Sequence, residues 1–284
     1  MSDDLPPKSP GASDLPDSSG RQPSNGIDDS VPQSARIWNF WLGGKDNYPV
    51  DRAVGEDFQK IYPPIVDIAR AQRHFLARAV RFMAGEAGIL QFLDIGTGLP
   101  TVDNTHEIAQ RVAPEAHIVY VDNDPLVLMH ARALLTSSLQ GVTRYVEASV
   151  YDPGAVLRGA AQTLDLARPV GITMLGILGH ITDYAKARSI VKTLLDGVPS
   201  GSYLAIADGT NVFGGKPFAD AMEIWNEHAN PQYVLRSPQQ IARFFDGLEL
   251  LEPGVVSSPL WRPDPSPFEP PTRVDNFGGV GRKP

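Results

Sequence analysis

The sequence contains no cysteine. That absence removes disulfides, thiolate nucleophiles and cysteine-ligated zinc from consideration. There is also no apolar run long enough to cross a bilayer, and the first residues lack the basic-then-apolar order of a secretory signal. A cytoplasmic protein without a membrane partner is therefore expected. Clustered positive charge is missing too. The 25 basic residues stand against 33 acidic ones, for a net charge of −8, and the basic residues are dispersed. Phosphate-driven binding needs a concentrated basic face, so nucleic acid is not an expected partner. We find no internal repeat and no ligand spacing that suggests a metal. His106-Glu107 lacks the second histidine of a zinc-protease helix, and reads as part of a helix face. His117 and His130 read as structural or solvent-facing.

What remains falls into three parts. Residues 1–32 are rich in Pro, Ser, Gly and Asp and almost devoid of large apolar side chains, so they cannot bury enough surface to offset their ordering entropy. A disordered tail is expected. Residues 33–90 read as an N-terminal helical cap. "SARIWNFWLGG" suggests a short helix with Ser34 as N-cap and Gly43-Gly44 as its stop. A second short helix is expected over Arg52 to Lys60. Pro63-Pro64 opens a long one whose apolar face runs through Ile65, Ile68, Gln72, Phe75, Leu76, Ala79, Phe82 and Met83.

From Gln91 to the end, apolar strands alternate with helices. Strands are expected at Gln91–Ile95, His117–Val121, Val142–Glu147, Val170–Ile177 and Tyr203–Ala207, and helices most clearly at Pro125–Leu139 and Asp183–Leu195. This alternation predicts an α/β fold with a mostly parallel sheet. "SPQQIARFFDG" carries a capping box, Ser237 with Gln240. Leu248–Leu251 and Arg273–Arg282 read as two late strands that bring the sheet to seven. The proline-rich "SSPLWRPDPSPFEPPT" between them reads as an extended connection.

The chemistry concentrates at "FLDIGTGLPT", a strand running into a glycine turn. Glycines there let a backbone approach a ligand closely. A dinucleotide site wants G-x-G-x-x-G, but Thr101 stands at the third glycine position and Pro100 precedes it. Asp94 beside the turn would repel a pyrophosphate, whereas it suits a ligand ammonium. One strand on, "IVYVDNDP" ends in Asp122, a carboxylate able to bridge two vicinal hydroxyls. An amino-acid tail, a sulfonium and an adenosine together describe S-adenosylmethionine.

These motifs resemble a class I S-adenosylmethionine-dependent methyltransferase with its Rossmann-like sheet. More narrowly, "ARIWNFWLGGKDNYPVDR", "QFLDIGTGLPT", "VYVDNDPLVLMHARALL", "ARFFDGLELLEPG" and the ending "GGVGRKP" resemble an actinobacterial family of S-adenosyl methyltransferases formerly catalogued as a domain of unknown function. The resemblance covers about Ser34 to Pro284. It implies S-adenosyl-L-methionine as cofactor, with Asp94, Gly96, Thr97 and Gly98 along its methionine portion and Asp122 and Asn123 on its ribose and adenosine. It further implies Ser149 and Val150 beside adenine, where many relatives carry an acid, and Leu178 and Gly179, within "GILGHI", near the methyl group. Arg73 is a candidate for the cofactor carboxylate. The acceptor is expected to be a small molecule, and the polar candidates for a base are His180, Asp183, Tyr184 and Tyr48. "WLGGKDNYPVDR" reads either as a packed cap or as a lid over the site. Phe213 and Trp225 are aromatic candidates for a substrate wall or for core. Two other functions stay open: a non-catalytic protein that binds the cofactor and regulates or scaffolds a partner, and a nicotinamide-dependent dehydrogenase, which Asp94 and the missing glycine oppose.

Overall fold

The computed structural model describes residues 28–101, 103–134, 137–265 and 271–284. Most of the expected tail lies outside these residues. The part that is described, 28–32, is held to the first helix: Arg36 donates to the carbonyls of Asp28 and Val31.

Three helices come first: α1 (Ser34–Trp41), α2 (Pro49–Ile61) and α3 (Ile65–Gly85). Ser34 is the first residue of α1 and not its cap. Gln33 takes that place in extended geometry, with its N–H bound to Asp51 Oδ1 at 2.9 Å. α2 starts three residues earlier than expected because Pro49 suits a first helical turn and Asp51 accepts from the Tyr48 N–H at 2.8 Å.

The alternating region follows as β1 (Gln91–Ile95), α4 (Thr105–Val112), β2 (His117–Asp122), α5 (Pro125–Leu134), β3 (Val142–Glu147), α6 (Pro153–Ala160), β4 (Gly171–Leu175), α7 (Tyr184–Asp196) and β5 (Tyr203–Gly209). α8 (Gly215–His228), α9 (Pro238–Ala242), β6 (Glu249–Leu250), β7 (Val256–Ser257) and β8 (Asn276–Arg282) complete the described chain. The sheet runs β3-β2-β1-β4-β5-β8-β6, with β7 paired to β8 off this path. Strands β1 to β5 are parallel, and β8 lies antiparallel to β5. The seven-strand path agrees with the Rossmann-like reading. The order reverses between β1 and β4, where open α/β sheets hold ligands outside the strand carboxyl ends.

Two expectations change. β4 is shorter than read because the chain turns at Gly176 into a 3-10 turn, Leu178–His180. The proline-rich segment is not simply extended. It begins in β7 and makes a 3-10 turn at Ser258–Leu260, and it seats Trp261 fully buried under α3, where Arg78 donates to the Trp261 and Ser258 carbonyls. Proline at the start of a 3-10 turn loses no hydrogen bond that the turn requires.

One sheet face is packed by α6 and α7 around Val156, Ile190 and Leu194. The other is packed by α4 and the second half of α3, where Phe75 and Met83 meet Phe92 and Ile118. The residues read as a cap are therefore divided: the second half of α3 belongs to the sheet sandwich. α1, α2 and the start of α3 join α8 in a separate aromatic cluster. In it Trp41 lies 5.2 Å from Phe58 and 5.7 Å from Trp225, and Tyr62 stacks on Phe218 at 4.3 Å.

Candidate active site at the strand carboxyl ends

A cavity of about 210 Å³ opens at the carboxyl ends of β2, β1, β4, β5 and the start of β8. Its β1 end is built on Asp94. Thr105 donates to one carboxylate oxygen at 2.6 Å and Thr173 to the other at 2.8 Å. Burial pushes the Asp94 carboxyl above the usual range, opposed by those two hydroxyls and the nearby Arg73. Each oxygen keeps a lone-pair direction for another donor.

The chain then turns through Gly96 and Gly98, both in the left-handed region at φ 71° and 63°. A Cβ at Gly96 would meet Ile177 at 2.7 Å, while a Cβ at Gly98 would meet nothing within 4 Å. The first glycine is thus needed for packing as well as backbone geometry, and the second leaves an open cradle. Asp122 fastens the cradle from β2. Its carboxylate accepts the N–H of Gly98 at 3.0 Å, of Asn123 at 2.8 Å and of Asp124 at 3.0 Å. Burial raises its carboxyl as well, against those three donors. Thr97 is tied to the Tyr145 hydroxyl at 2.9 Å. Pro100, at the position that distinguishes this turn, lines a small second cavity behind it with Arg73, Asp94 and Tyr120.

Beyond β1 the lining changes character. His180 follows β4, and its Nδ1 lies 2.9 Å from the Gln232 carbonyl. A carbonyl only accepts, so Nδ1 carries the proton in this bond, and the Pro231 carbonyl also lies against the ring. Burial lowers the imidazole pKa, favouring the neutral form. The ring meets Tyr233 edge-on at 4.9 Å. Tyr233 donates to Asp208 at the end of β5 and accepts from the Gly209 N–H. Burial pushes the Asp208 carboxyl up to about 6. On β8, Asn276 donates to Gln72 of α3 at 3.0 Å. Trp38, Trp41, Phe58, Phe218 and Trp225 form the wall here.

The cavity thus brings together Arg73, Asp94, Gly96, Thr97, Gly98, Asp122, Asn123 and His180. Seven other candidates are not among its lining residues, and each has a local reason. Asp183 caps α7, accepting from Ala185 and Lys186. Tyr184 donates to the Gln240 carbonyl at 2.8 Å. Tyr48 lies under the Arg36 guanidinium at 5.0 Å, packed near Leu99 and Leu126. Ser149 accepts from the Tyr151 N–H at 3.3 Å, and Val150 packs toward the α6–α7 core. Leu178 is fully buried, its carbonyl accepting from Arg236. Gly179 is covered by Tyr233, whose ring occupies the space a Cβ would take. Of the aromatic candidates, Trp225 lines the cavity, whereas Phe213 is half-exposed beside Phe277. His106 lies on α4 as read, on its buried face, with its ring and its N–H both bonded to the Tyr120 hydroxyl at 2.8 Å.

Gln72, Tyr233 and Asn276 line the cavity although no motif in the sequence marks them, and Asp208 stands behind Tyr233, off the lining. Gln72 was the one polar member of an apolar helix face, which is the signal that could have marked it. Among the described residues there is no group of three or more His, Asp or Glu that could hold a metal ion, and no helix long and apolar enough to cross a membrane.

The donor set fits one ligand class. Asp94 and Arg73 bring opposite charges to one end, Gly98 leaves an open backbone cradle, and Asp122, already accepting three N–H groups, keeps one lone-pair direction on Oδ2. These features suit S-adenosylmethionine. The comparisons with known proteins agree. The family described as S-adenosyl methyltransferase matches residues 20–284. The chain is similar to a DUF574 family protein of Streptomyces avermitilis, 42% identical with a TM-score of 0.85, covering 90% of this chain and 99% of that one. It is similar also to a protein of Thermobifida fusca described as a proposed methyltransferase, 40% identical with a TM-score of 0.82, covering 89% of this chain and 96% of that one. No curated protein matches. The chain belongs to the S-adenosyl methyltransferase family and is an S-adenosylmethionine-dependent methyltransferase.

Proposed function

We propose that the enzyme methylates a small molecule held in the aromatic half of the cavity, with His180 as the group that receives the acceptor's proton. The observation that carries this reading is the continuity of a single cavity. Asp94, Gly98 and Asp122, the imidazole of His180, and the aromatic side chains of Trp38, Phe218 and Trp225 all line it. A concave cavity lined mostly by aromatic and aliphatic side chains with a few convergent polar groups suits a small acceptor better than a polymer chain.

In this reading Asp94 holds the ammonium of the amino-acid end and Arg73 its carboxylate. Asp122 takes a ribose hydroxyl, with Asn123 against the adenosine. The sulfonium supplies a methyl group already activated for displacement, so the protein's task is chiefly positioning. Where the attacking oxygen or nitrogen must lose a proton, His180 is the lining imidazole able to take it on Nε2, with Nδ1–H held by the Gln232 carbonyl.

The test is transfer of labelled methyl to a panel of small molecules, with calorimetry of S-adenosylhomocysteine and NAD alongside. S-adenosylhomocysteine binds and NAD does not. His180→Gln is expected to lower kcat by roughly 10²-fold or more for an acceptor that must be deprotonated, with S-adenosylhomocysteine affinity unchanged. An unaltered kcat removes His180 from the mechanism, and labelling of protein or RNA in place of small molecules overturns the substrate class.

A further inference from the structure

Two features of the cavity's far end narrow the acceptor's chemistry, on the reading that this half holds it. The first is charge. The charged lining side chains are Arg73, Asp94, Asp122 and Asp124, all grouped at the β1 and β2 ends. Past Gly176, the described lining residues are aromatic, aliphatic or neutral polar. An ionised acceptor would lose its water there and meet no opposite charge on the lining, since the Asp208 carboxylate is covered by Tyr233.

The second feature is an unanswered acceptor. Asn276 opens β8 opposite Gly209, at the end of β5, and is only 1% exposed. Its Nδ2 donates to Gln72 Oε1, which fixes the amide plane. Its Oδ1 is buried and accepts no hydrogen bond among the described residues, yet Asn276 lines the cavity. Interiors seldom leave a buried carbonyl oxygen unanswered, and such atoms mark places where something else supplies the donor. Gln72 itself abuts Gly176, so the Asn276–Gln72 pair stands at the junction of the charged and aromatic halves.

We propose that the methyl acceptor is an uncharged aromatic molecule whose N–H or O–H is donated to Asn276 Oδ1 while its ring lies against Trp38 and Trp225. The flat indole walls supply area to a planar ring. The carboxamide supplies selection, because a site built around a hydrogen bond rejects the analogue that lacks the donor far more strongly than an apolar pocket rejects a change in shape.

Naphthol, its methyl ether and naphthoate probe the three elements on one ring system, titrated by calorimetry into the full chain saturated with S-adenosylhomocysteine. Naphthol is expected to bind about tenfold or more tighter than either of the others. Asn276→Leu is expected to bring naphthol down to the affinity of its ether while leaving S-adenosylhomocysteine binding intact. If the leucine variant has lost S-adenosylhomocysteine binding, Asn276→Ala replaces it, since the methyl group has no acceptor and leaves room without overpacking. Equal affinity of naphthol and its ether in the unaltered chain overturns the proposal, and so does tighter binding of naphthoate. A chain that binds S-adenosylhomocysteine but none of the three probes overturns the acceptor class alone. A chain that binds none of the four ligands overturns the cavity reading on which it rests.

Discussion

The two halves of the cavity are built in opposite ways. The β1–β2 half is made largely of backbone: a glycine cradle, and carboxylates whose own positions are set by neighbouring N–H and hydroxyl donors. Its charges are presented by strand ends and need no distant element except Arg73 of α3. The β4–β8 half is made of side chains from α1, α2, α8, the segment around Tyr233 and the start of β8. A backbone-built site can be carried unchanged through a family, since its geometry depends on a few residues of fixed type. A side-chain wall changes with each substitution. The contrast explains why the cofactor is legible in this protein and the acceptor is not.

The largest effect that would sharpen this contrast lies at Asp122. Its replacement by Ala removes the anchor of the Gly98 cradle together with the acceptor proposed for the ribose. Calorimetry should record about 100-fold weaker S-adenosylhomocysteine binding. Binding of an aromatic probe to the other half should scarcely change. If both fall together, the halves are one coupled unit and the comparison breaks.

Asp94→Asn should have a smaller effect, about tenfold on the same affinity, because the amide still answers one of the threonine hydroxyls but no longer balances an ammonium. Burial raises the Asp94 carboxyl in the folded chain, so removing its charge should not reduce stability. An equal loss of melting temperature and affinity would instead assign Asp94 a purely structural role.

The smallest effect concerns stability behind the aromatic half, where Asp208 supports the lining residue Tyr233. Asp208 has its carboxyl pushed from 3.8 up to about 6 by burial. The folded state therefore holds this proton more tightly than the unfolded state. Its contribution to stability is greatest below the unfolded value, declines as pH rises from 3.8 to about 6, and is constant above that. Asp208→Asn keeps an acceptor for Tyr233 and removes the buried charge. It should stabilise the chain at neutral pH by ~1 kcal/mol and flatten that decline, as read by urea unfolding across the pH range. A destabilised variant at pH 7 would show that the ionised carboxylate is needed by the Tyr233 hydroxyl.

The alternation of strands and helices, the limits of β1 and β3, the long α3 and the capping box at Ser237 were all legible because each rests on local periodicity or on a cap only three residues long. Asp94, the two glycines and Asp122 were legible for a related reason: each sits at a strand end, where a short motif states both its identity and its position. Asp183 and Tyr184 misled because a polar residue after a strand reads equally well as chemistry or as a helix cap, and in this fold they serve the α7 cap and the Gln240 carbonyl. Gly179 misled because nothing local announces that Tyr233, far along the chain, will close over it.

The alternation of strands with helices and the cofactor class thus follow from the chain's own periodicity and a few adjacent residues, since those depend on contacts between near neighbours. The aromatic half of the cavity, the bond from His180 to the Gln232 carbonyl and the pairing of Gln72 with Asn276 were decided only when α1, α3, α8 and β8 came together. Hydrogen bonds and ring contacts between segments so far apart leave no periodic trace along the chain. They exist only where folding excludes water and packs those surfaces against one another.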